Sequence, residues 1–245
     1  NNEKVASTQA LIHVADYPSL QAAVDALPPS GGTLHLPAAK LVLTEPVLIR
    51  AGDVTIVGDG SVSHVFNANT QGASAFILSS EQSAENNPAQ NSPIWRVQFY
   101  NFRLTGSPQS GHGVEARFVN EVFINSMTVS EHGGDGIHLH LCYEDPRVCN
   151  SLITYNQGAG VWAKGCHDTL IAGCQFEENR DAIYFMDGFN LTASGNNIDD
   201  HTRHGIVIEN SMGNTLSGNM IEQCVETGVI LKRDTYGTTV SSNIF

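Results

Sequence analysis

Six short blocks carry most of the side chains in this sequence that could do chemistry: Gly113-Val-Glu-Ala-Arg, Gly136-Ile-His-Leu-His, Gly160-Val-Trp-Ala-Lys, Ala182-Ile-Tyr-Phe-Met, Gly205-Ile-Val-Ile-Glu and Gly228-Val-Ile-Leu-Lys. Their third residues read Glu115, His138, Trp162, Tyr184, Val207, Ile230, and their fifth read Arg117, His140, Lys164, Met186, Glu209, Lys232. Acid, imidazole, aromatic and cation are thus gathered at two repeating positions. Chemistry at C5 of a uronic acid needs that combination: a cation neutralises the carboxylate, the C5 proton becomes more acidic, and a nearby base removes it. Protonation of the oxygen leaving C4 then gives β-elimination, and return of a proton to the other face of C5 gives epimerisation.

On this reading His138 or His140 is the base, Tyr184 the acid, and Arg117 with Lys164 the holders of the carboxylate. Two flanking cations disfavour imidazolium, so a neutral His140 near pH 7 is expected. Three cationic side chains in line are also unfavourable unless an anion joins them, which a carboxylated sugar would do. Trp162 offers a flat apolar surface to a sugar ring, and Glu115, His204 and Glu209 complete the expected binding set. Each has a bland counterpart: histidines on an exposed strand, Arg117 and Lys164 in surface ion pairs, aromatics under a loop, Glu209 as a solvated or bridging acid, and His201, Arg203 and His204 on the rim. Asp135 and Asp181 enter their blocks two repeats apart and offer a second chemistry. By strand spacing they stand about 9.6 Å apart, near the upper limit of roughly 9.5 Å for an inverting glycoside hydrolase pair.

These positions converge only if the blocks stack. Their first residues are 23, 24, 22, 23 and 23 apart, and a fixed period in the twenties with β-alternation and terminal turn residues signals a solenoid. Alternation sends the second and fourth residues of each block inward and the third and fifth outward, with coils about 4.8 Å apart. Val129, Ile153, Phe176, Ile198 and Ile221 form a second inward column. Asn196, Asn219 and Asn243 recur in Ser-X-Asn contexts and read as a ladder of amides bonding up and down the stack. Upstream, Ala75-Phe-Ile-Leu-Ser lies 38 residues before Gly113, one coil plus the 15 polar residues Ser79 to Pro93, so a loop is expected over 79–93. Ser19 caps a segment with Leu20, Ala23, Val24 and Leu27 at helical spacing, ended by Pro28-Pro29, which predicts a short helix in an N-terminal cap over 1–30.

Composition narrows the partners. The 245 residues suffice for one domain, here 1–245 with regular coils from 113 to 245. Twelve basic against 25 acidic residues, a formal charge of −13, exclude wrapping a nucleic-acid backbone, which demands a basic footprint. No apolar run reaches the roughly 20 residues that span a bilayer, and the polar start lacks a signal-peptide core. The expectation is a secreted or periplasmic chain whose leader is already removed. Cys142, Cys149, Cys166, Cys174 and Cys224 are odd in number and lack paired CxxC spacing, so no structural metal is expected. Cys142 and Cys166 fall in one column as stacked thiols, with a Cys142 to Cys149 disulfide as the alternative.

The stretch Tyr17-Pro-Ser-Leu-Gln-Ala-Ala-Val-Asp-Ala-Leu-Pro-Pro-Ser-Gly-Gly-Thr-Leu-His-Leu-Pro, followed by Val54-Thr-Ile-Val-Gly-Asp-Gly, resembles the start of pectate-lyase-like right-handed parallel β-helix proteins, and the repeats from Gly113 are similar to the same superfamily. The resemblance implies an all-β, single-stranded right-handed parallel β-helix of 22–24 residues per coil, and a carbohydrate-active protein. It spans polysaccharide lyases, glycoside hydrolases, mannuronan C5-epimerases and phage tailspikes, so the fold alone does not select an activity. The Asp-Pro-His-Glu signature of mannuronan C5-epimerases is absent, since Asp145-Pro146 continues with Arg147. The acidic run by which many pectate lyases hold calcium is absent as well, although Glu115, Asp135 and Asp181 could hold one calcium ion. The expected function is a lyase or C5-epimerase on an anionic polysaccharide without a required cofactor. The alternatives are a hydrolase using Asp135 and Asp181, or a non-catalytic, tailspike-like binder that forms a homo-oligomer through an uncapped C-terminal end.

Overall fold

Alternation within the blocks becomes alternation of burial. The computed structural model describes residues 9–80 and 92–245, and strand pairing within them is parallel. The face that carries the blocks is an eight-stranded sheet formed, in chain order, by Val47–Ile49, Phe76–Leu78, Val114–Arg117, Ile137–His140, Ala159–Lys164, Asp181–Met186, His204–Glu209 and Thr227–Lys232. The remaining faces of the coils join in a 16-stranded sheet through the long strand Ile94–Thr105, which pairs with both Val119–Asn125 and Thr128–Ser130. The chain is therefore the expected all-β right-handed parallel β-helix, of about ten coils.

Register on the block face follows the sequence repeat residue for residue. Val114, Ile137, Val161, Ile183 and Ile206 form one inward row, and Ala116, Leu139, Ala163, Phe185 and Ile208 the next, all fully buried. Apolar area removed from water at about 25 cal/mol per Å² is what holds one coil on the next. The outward rows also run in the order read from the blocks, Glu115 to His138 to Trp162 to Tyr184, and Arg117 to His140 to Lys164 to Met186. Val207 departs from the expected outward exposure: it lies in the outward row but is buried.

Each of the last six strands of this face is closed by a sharp turn. The residues that follow them, Phe118, Leu141, Gly165, Asp187, Asn210 and Arg233, all have positive φ, a conformation that five of the six adopt without the freedom of glycine. In the first five of these turns the amide of that residue bonds to the next coil, as Leu141 N–H does to Lys164 O at 2.8 Å. Gly165 makes room for the Leu141 side chain, since a Cβ there would lie 2.5 Å from Leu141 Cδ2.

Inward polar residues form ladders. Asn219 Oδ1 accepts from Asn196 N and Nδ2 at 3.1 and 2.9 Å, and Asn243 Oδ1 accepts from Asn219 N and Nδ2, both at 2.9 Å. A second ladder, which the sequence reading missed, runs under the turn leading into the block face. His132, Asn156, Asn179 and His201 occupy equivalent places one coil apart, set by the pairing of Val129, Ile153, Phe176 and Ile198. Asn156 Oδ1 accepts from His132 N at 3.1 Å, and Asn179 Oδ1 accepts from Asn156 N and Nδ2 at 3.0 and 2.8 Å. His201, expected on the rim, is fully buried in this column with Nδ1 3.2 Å from Asn179 O.

At the N-terminal end, Leu20–Asp25 is the expected helix, with Ser19 Oγ accepting from Ala22 N at 3.1 Å and Leu20 and Ala23 buried. Ala10–His13 was not anticipated: it is a strand paired with Gly32–His35, so stacking starts ahead of the helix. The loop expected over 79–93 lies for the most part outside the described residues. All five cysteines are free thiols, so the Cys142 to Cys149 bridge is not formed; Cys142 and Cys166 are buried, with each Sγ near backbone carbonyls.

Candidate functional site

Asp135 is the fixed point of the site. It enters the strand Ile137–His140 from the turn Gly133-Gly134, and its Oδ1 accepts from Ala159 N in the next coil at 2.7 Å. Its Oδ2 lies 2.8 Å from His138 Nδ1 and 3.3 Å from His112 Nδ1. Its own amide donates to His112 Nδ1 at 2.8 Å. Two glycines make the room: a Cβ at Gly158 would stand 2.2 Å from Asp135 Oδ1, and one at Gly134 2.7 Å from His112 Nδ1.

The rings form a stack across three coils. His138 lies parallel to Trp162, with centroids 4.2 Å apart at 13°, and 4.3 Å from His112 at 31°. Because its lone pair accepts the Asp135 amide, Nδ1 of neutral His112 carries no proton. Burial, and then the neighbouring His138, hold the His112 pKa below the ordinary imidazole value. In neutral His138 the Nδ1 proton points at Asp135, which leaves Nε2 as the acceptor nitrogen.

The cation row is present, but its charges have partners in the protein. Arg117 folds back along its own strand onto Glu115 Oε1, at 2.8 Å from Nε and 2.5 Å from Nη2, while Glu115 Oε2 accepts from Ser74 Oγ at 2.7 Å. Burial raises the Glu115 pKa, but the bonds from Ser74 and Arg117 outweigh it and the net shift is downward. Lys164 Nζ lies 3.8 Å from Asp187 Oδ2. The expected need for an external anion is thus met in part by Glu115 and Asp187. Arg117 and Lys164 remain about two-fifths exposed, at 43% and 42% of their side chains. His140 stands between them in register.

A second constellation occupies the following coils and does not join the first. Tyr184 Oη donates to Glu209 Oε2 at 2.5 Å and accepts from Lys232 Nζ at 2.9 Å. The Tyr184 hydroxyl therefore leans toward later coils, away from His138 and with Trp162 between. Its expected role as the acid partner of His138 does not fit this placement. Glu209, expected to bind substrate, is buried and also held by Arg233 Nε at 2.6 Å. Burial raises its pKa, and the bonds from Tyr184 and Lys232 bring it net below the ordinary glutamate value.

Asp181 corrects the paired-carboxylate expectation. Its side chain is fully buried and clamped by Arg180, with Nε at 3.0 Å, and by Arg203, whose Nε stands at 2.8 Å and whose Nη2 also bonds it. Its Oδ1 further accepts from His204 N at 3.2 Å. A carboxylate that offers the groove no oxygen can neither activate water nor protonate a leaving group, and the Glu115, Asp135, Asp181 calcium set fails for the same reason. His204 Nε2 faces Glu226 at 3.2 Å. Trp162 is altered too: the ring face toward His138 is covered, so that face is closed to a sugar. His112 was missed as a site residue because its role comes from stacking; the only sequence signal was its place in the column that Asp135 and Asp181 share.

A family model described as a right-handed beta helix region matches residues 86–245. The chain belongs to that family. No curated protein matches the sequence. Among solved structures, this β-helix is similar to tailspike protein 2 of Escherichia coli O157:H7 bacteriophage CAB120, with TM-score 0.72, 12% identity, 95% of this chain and 34% of that chain covered. It is also similar to DFA-IIIase from Arthrobacter chlorophenolicus A6 in complex with GF2, with TM-score 0.59, 14% identity, 86% and 70% covered. The third is the A-module of the mannuronan C-5 epimerase AlgE6 from Azotobacter vinelandii, with TM-score 0.50, 14% identity, 93% and 79% covered. The β-helix spans about a third of the tailspike's length, and at these identities the likeness is one of fold.

Proposed function

We propose that this β-helix is a carbohydrate-active enzyme that removes the C5 proton of a uronic acid in an anionic polysaccharide, with His138 as the base. The observation that carries the reading is the 2.8 Å contact of His138 Nδ1 with Asp135 Oδ2, in a ring fixed between His112 and Trp162. A carboxylate on Nδ1 orients the imidazole and stabilises the imidazolium formed when Nε2 takes a proton. Two of the similar structures, the DFA-IIIase and the mannuronan C-5 epimerase, support the carbohydrate class.

In the proposed step the C5–H pair of electrons stays on carbon while the proton goes to Nε2. Arg117 and Lys164 face the sugar carboxylate and stabilise the negative charge that develops there. In β-elimination those electrons form the C4–C5 double bond, the C4–O bond breaks and the departing oxygen takes a proton. In epimerisation a proton returns to C5 from the opposite face. His140 offers a second proton-transfer group, two residues along the same strand and thus about 6.6 Å away.

The test is C5 proton exchange in D2O, followed by NMR, with polymannuronate, polygalacturonate and other acidic glycans, alongside ultraviolet absorbance of unsaturated product. Unsaturated product seen by absorbance identifies a lyase, and C5 exchange without it an epimerase. If no acidic glycan gives either signal, or if His138→Ala gives it at the wild-type rate, the proposal is wrong.

A further inference from the structure

His112, Asp135 and His138 offer three ligand atoms that all lie within 4.8 Å of one another. Oδ2 of Asp135 is the focus, 2.8 Å from one imidazole nitrogen and 3.3 Å from the other. Metal–nitrogen and metal–oxygen bonds of about 2.0–2.2 Å in tetrahedral arrangement separate ligand atoms by roughly 3.3 Å. Two of the three separations therefore already stand near the distance that such an ion imposes, and the third is within 4.8 Å. We propose that they form a binding site for one divalent transition-metal ion of the zinc type, and that the bound ion switches the base off.

The donor set selects the ion. Two imidazoles and one carboxylate are borderline ligands, suited to Zn2+ and Co2+, whereas Ca2+ and Mg2+ call for shells of oxygen. Three protein ligands also leave a position for water or a sugar hydroxyl. The groups are prepared for it. Asp135 is anchored through Oδ1 to Ala159 N, leaving Oδ2 as the donor, and the stack on Trp162 fixes the plane of His138. Binding exchanges the His138 Nδ1 proton and the bond from the Asp135 amide to His112 Nδ1 for two metal–nitrogen bonds. Once the ion holds Nδ1 of His138, Nε2 carries the ring proton and has no lone pair for C5–H. Binding stands on geometry alone; inhibition rests on the assignment of His138 as the base.

The experiment uses the whole chain after chelator treatment. Isothermal titration with Zn2+, and visible ligand-field absorption with Co2+, should each show one equivalent bound. Ca2+ should show none. A hundredfold excess of Zn2+ over its Kd should raise Tm by roughly 5–10 °C. His112→Gln and Asp135→Asn should lose the Co2+ bands and the Tm shift, while their own metal-free melting reports that they fold. No saturable Zn2+ binding, binding retained in both variants, or binding of Ca2+ in place of Zn2+ would overturn the site. Zn2+ should abolish C5 exchange, and chelator should restore it. Saturable binding lost in both variants, with exchange unaffected, would keep the metal site and reject His138 as the base.

Discussion

At His138 the decisive contact reaches only three residues back, to Asp135, yet it joins two different columns of the stack. The blocks alone place His138 beside Trp162, because outward neighbours on adjacent coils follow from period and alternation. They do not place Asp135 against the ring, since Asp135 sits on the bend entering the strand and its side-chain direction depends on the room left by Gly134 and Gly158. For the same reason Asp181, in the same column, points into a clamp of two arginines, and sequence equivalence gave no warning of it. His138→Ala should lower the C5 exchange rate by about 10²–10⁴-fold, the usual worth of a general base. Asp135→Asn keeps an acceptor for Ala159 N but loses the charge that steadies imidazolium, and should lower the rate at least about tenfold, read from single-turnover exchange. Tyr184→Phe should leave exchange within about tenfold of wild type while lowering stability by about 1 kcal/mol, because Glu209 loses a donor and keeps Lys232 and Arg233. A Tyr184→Phe loss comparable to that of His138→Ala would restore Tyr184 to the chemistry.

Among the elements, the column His132, Asn156, Asn179, His201 backs the turn that presents Asp135, through the bond from His132 N to Asn156 Oδ1. The Ser-X-Asn contexts made the other ladder legible. This one was hidden because its ends are histidines and its asparagines, in Tyr155-Asn156-Gln157 and Glu178-Asn179-Arg180, share no flanking residue type. Asn179→Ala would strand Asn156 N–H and Ile153 O, each now bonded to the amide, and should lower unfolding free energy by about 3 kcal/mol in urea titration. The six block-face strands from Val114 onward were readable from the sequence, since alternate burial and a period near 23 leave a single register. The strand Ala10–His13 was not, because it lies ahead of the repeat and its partner Gly32–His35 follows an intervening helix.

For the molecule as a whole, the buried ionisable groups pull stability in one direction. Burial lowers the pKa of His132 to about 3 from 6.5, and burial likewise lowers those of His112 and His201. Neither ring nitrogen of His132 has a hydrogen-bond partner of good geometry. A histidine whose folded pKa is depressed binds protons more readily in the unfolded chain. Its contribution is therefore complete above about pH 6.5 and is lost as pH falls below that value. For His132 alone the limit is on the order of 4 kcal/mol, reached near its folded value of about 3. Asp181, Glu115 and Glu209 add to the loss further down, because their depressed pKa values confer stability that disappears as pH falls through them. Urea midpoints should fall steadily from pH 7 to pH 4. In His132→Asn, which places at 132 the residue type found there in the next two coils, the slope between pH 6.5 and 4 should flatten; an unchanged slope would discount His132. The constant register has one more result. Along the regular coils, almost every strand finds its partner 22–24 residues back, so loop closure involves the same short span at each step whatever the chain length. Assembly can then advance coil by coil in the order of translation, each new turn laid on an edge that the preceding one has just completed.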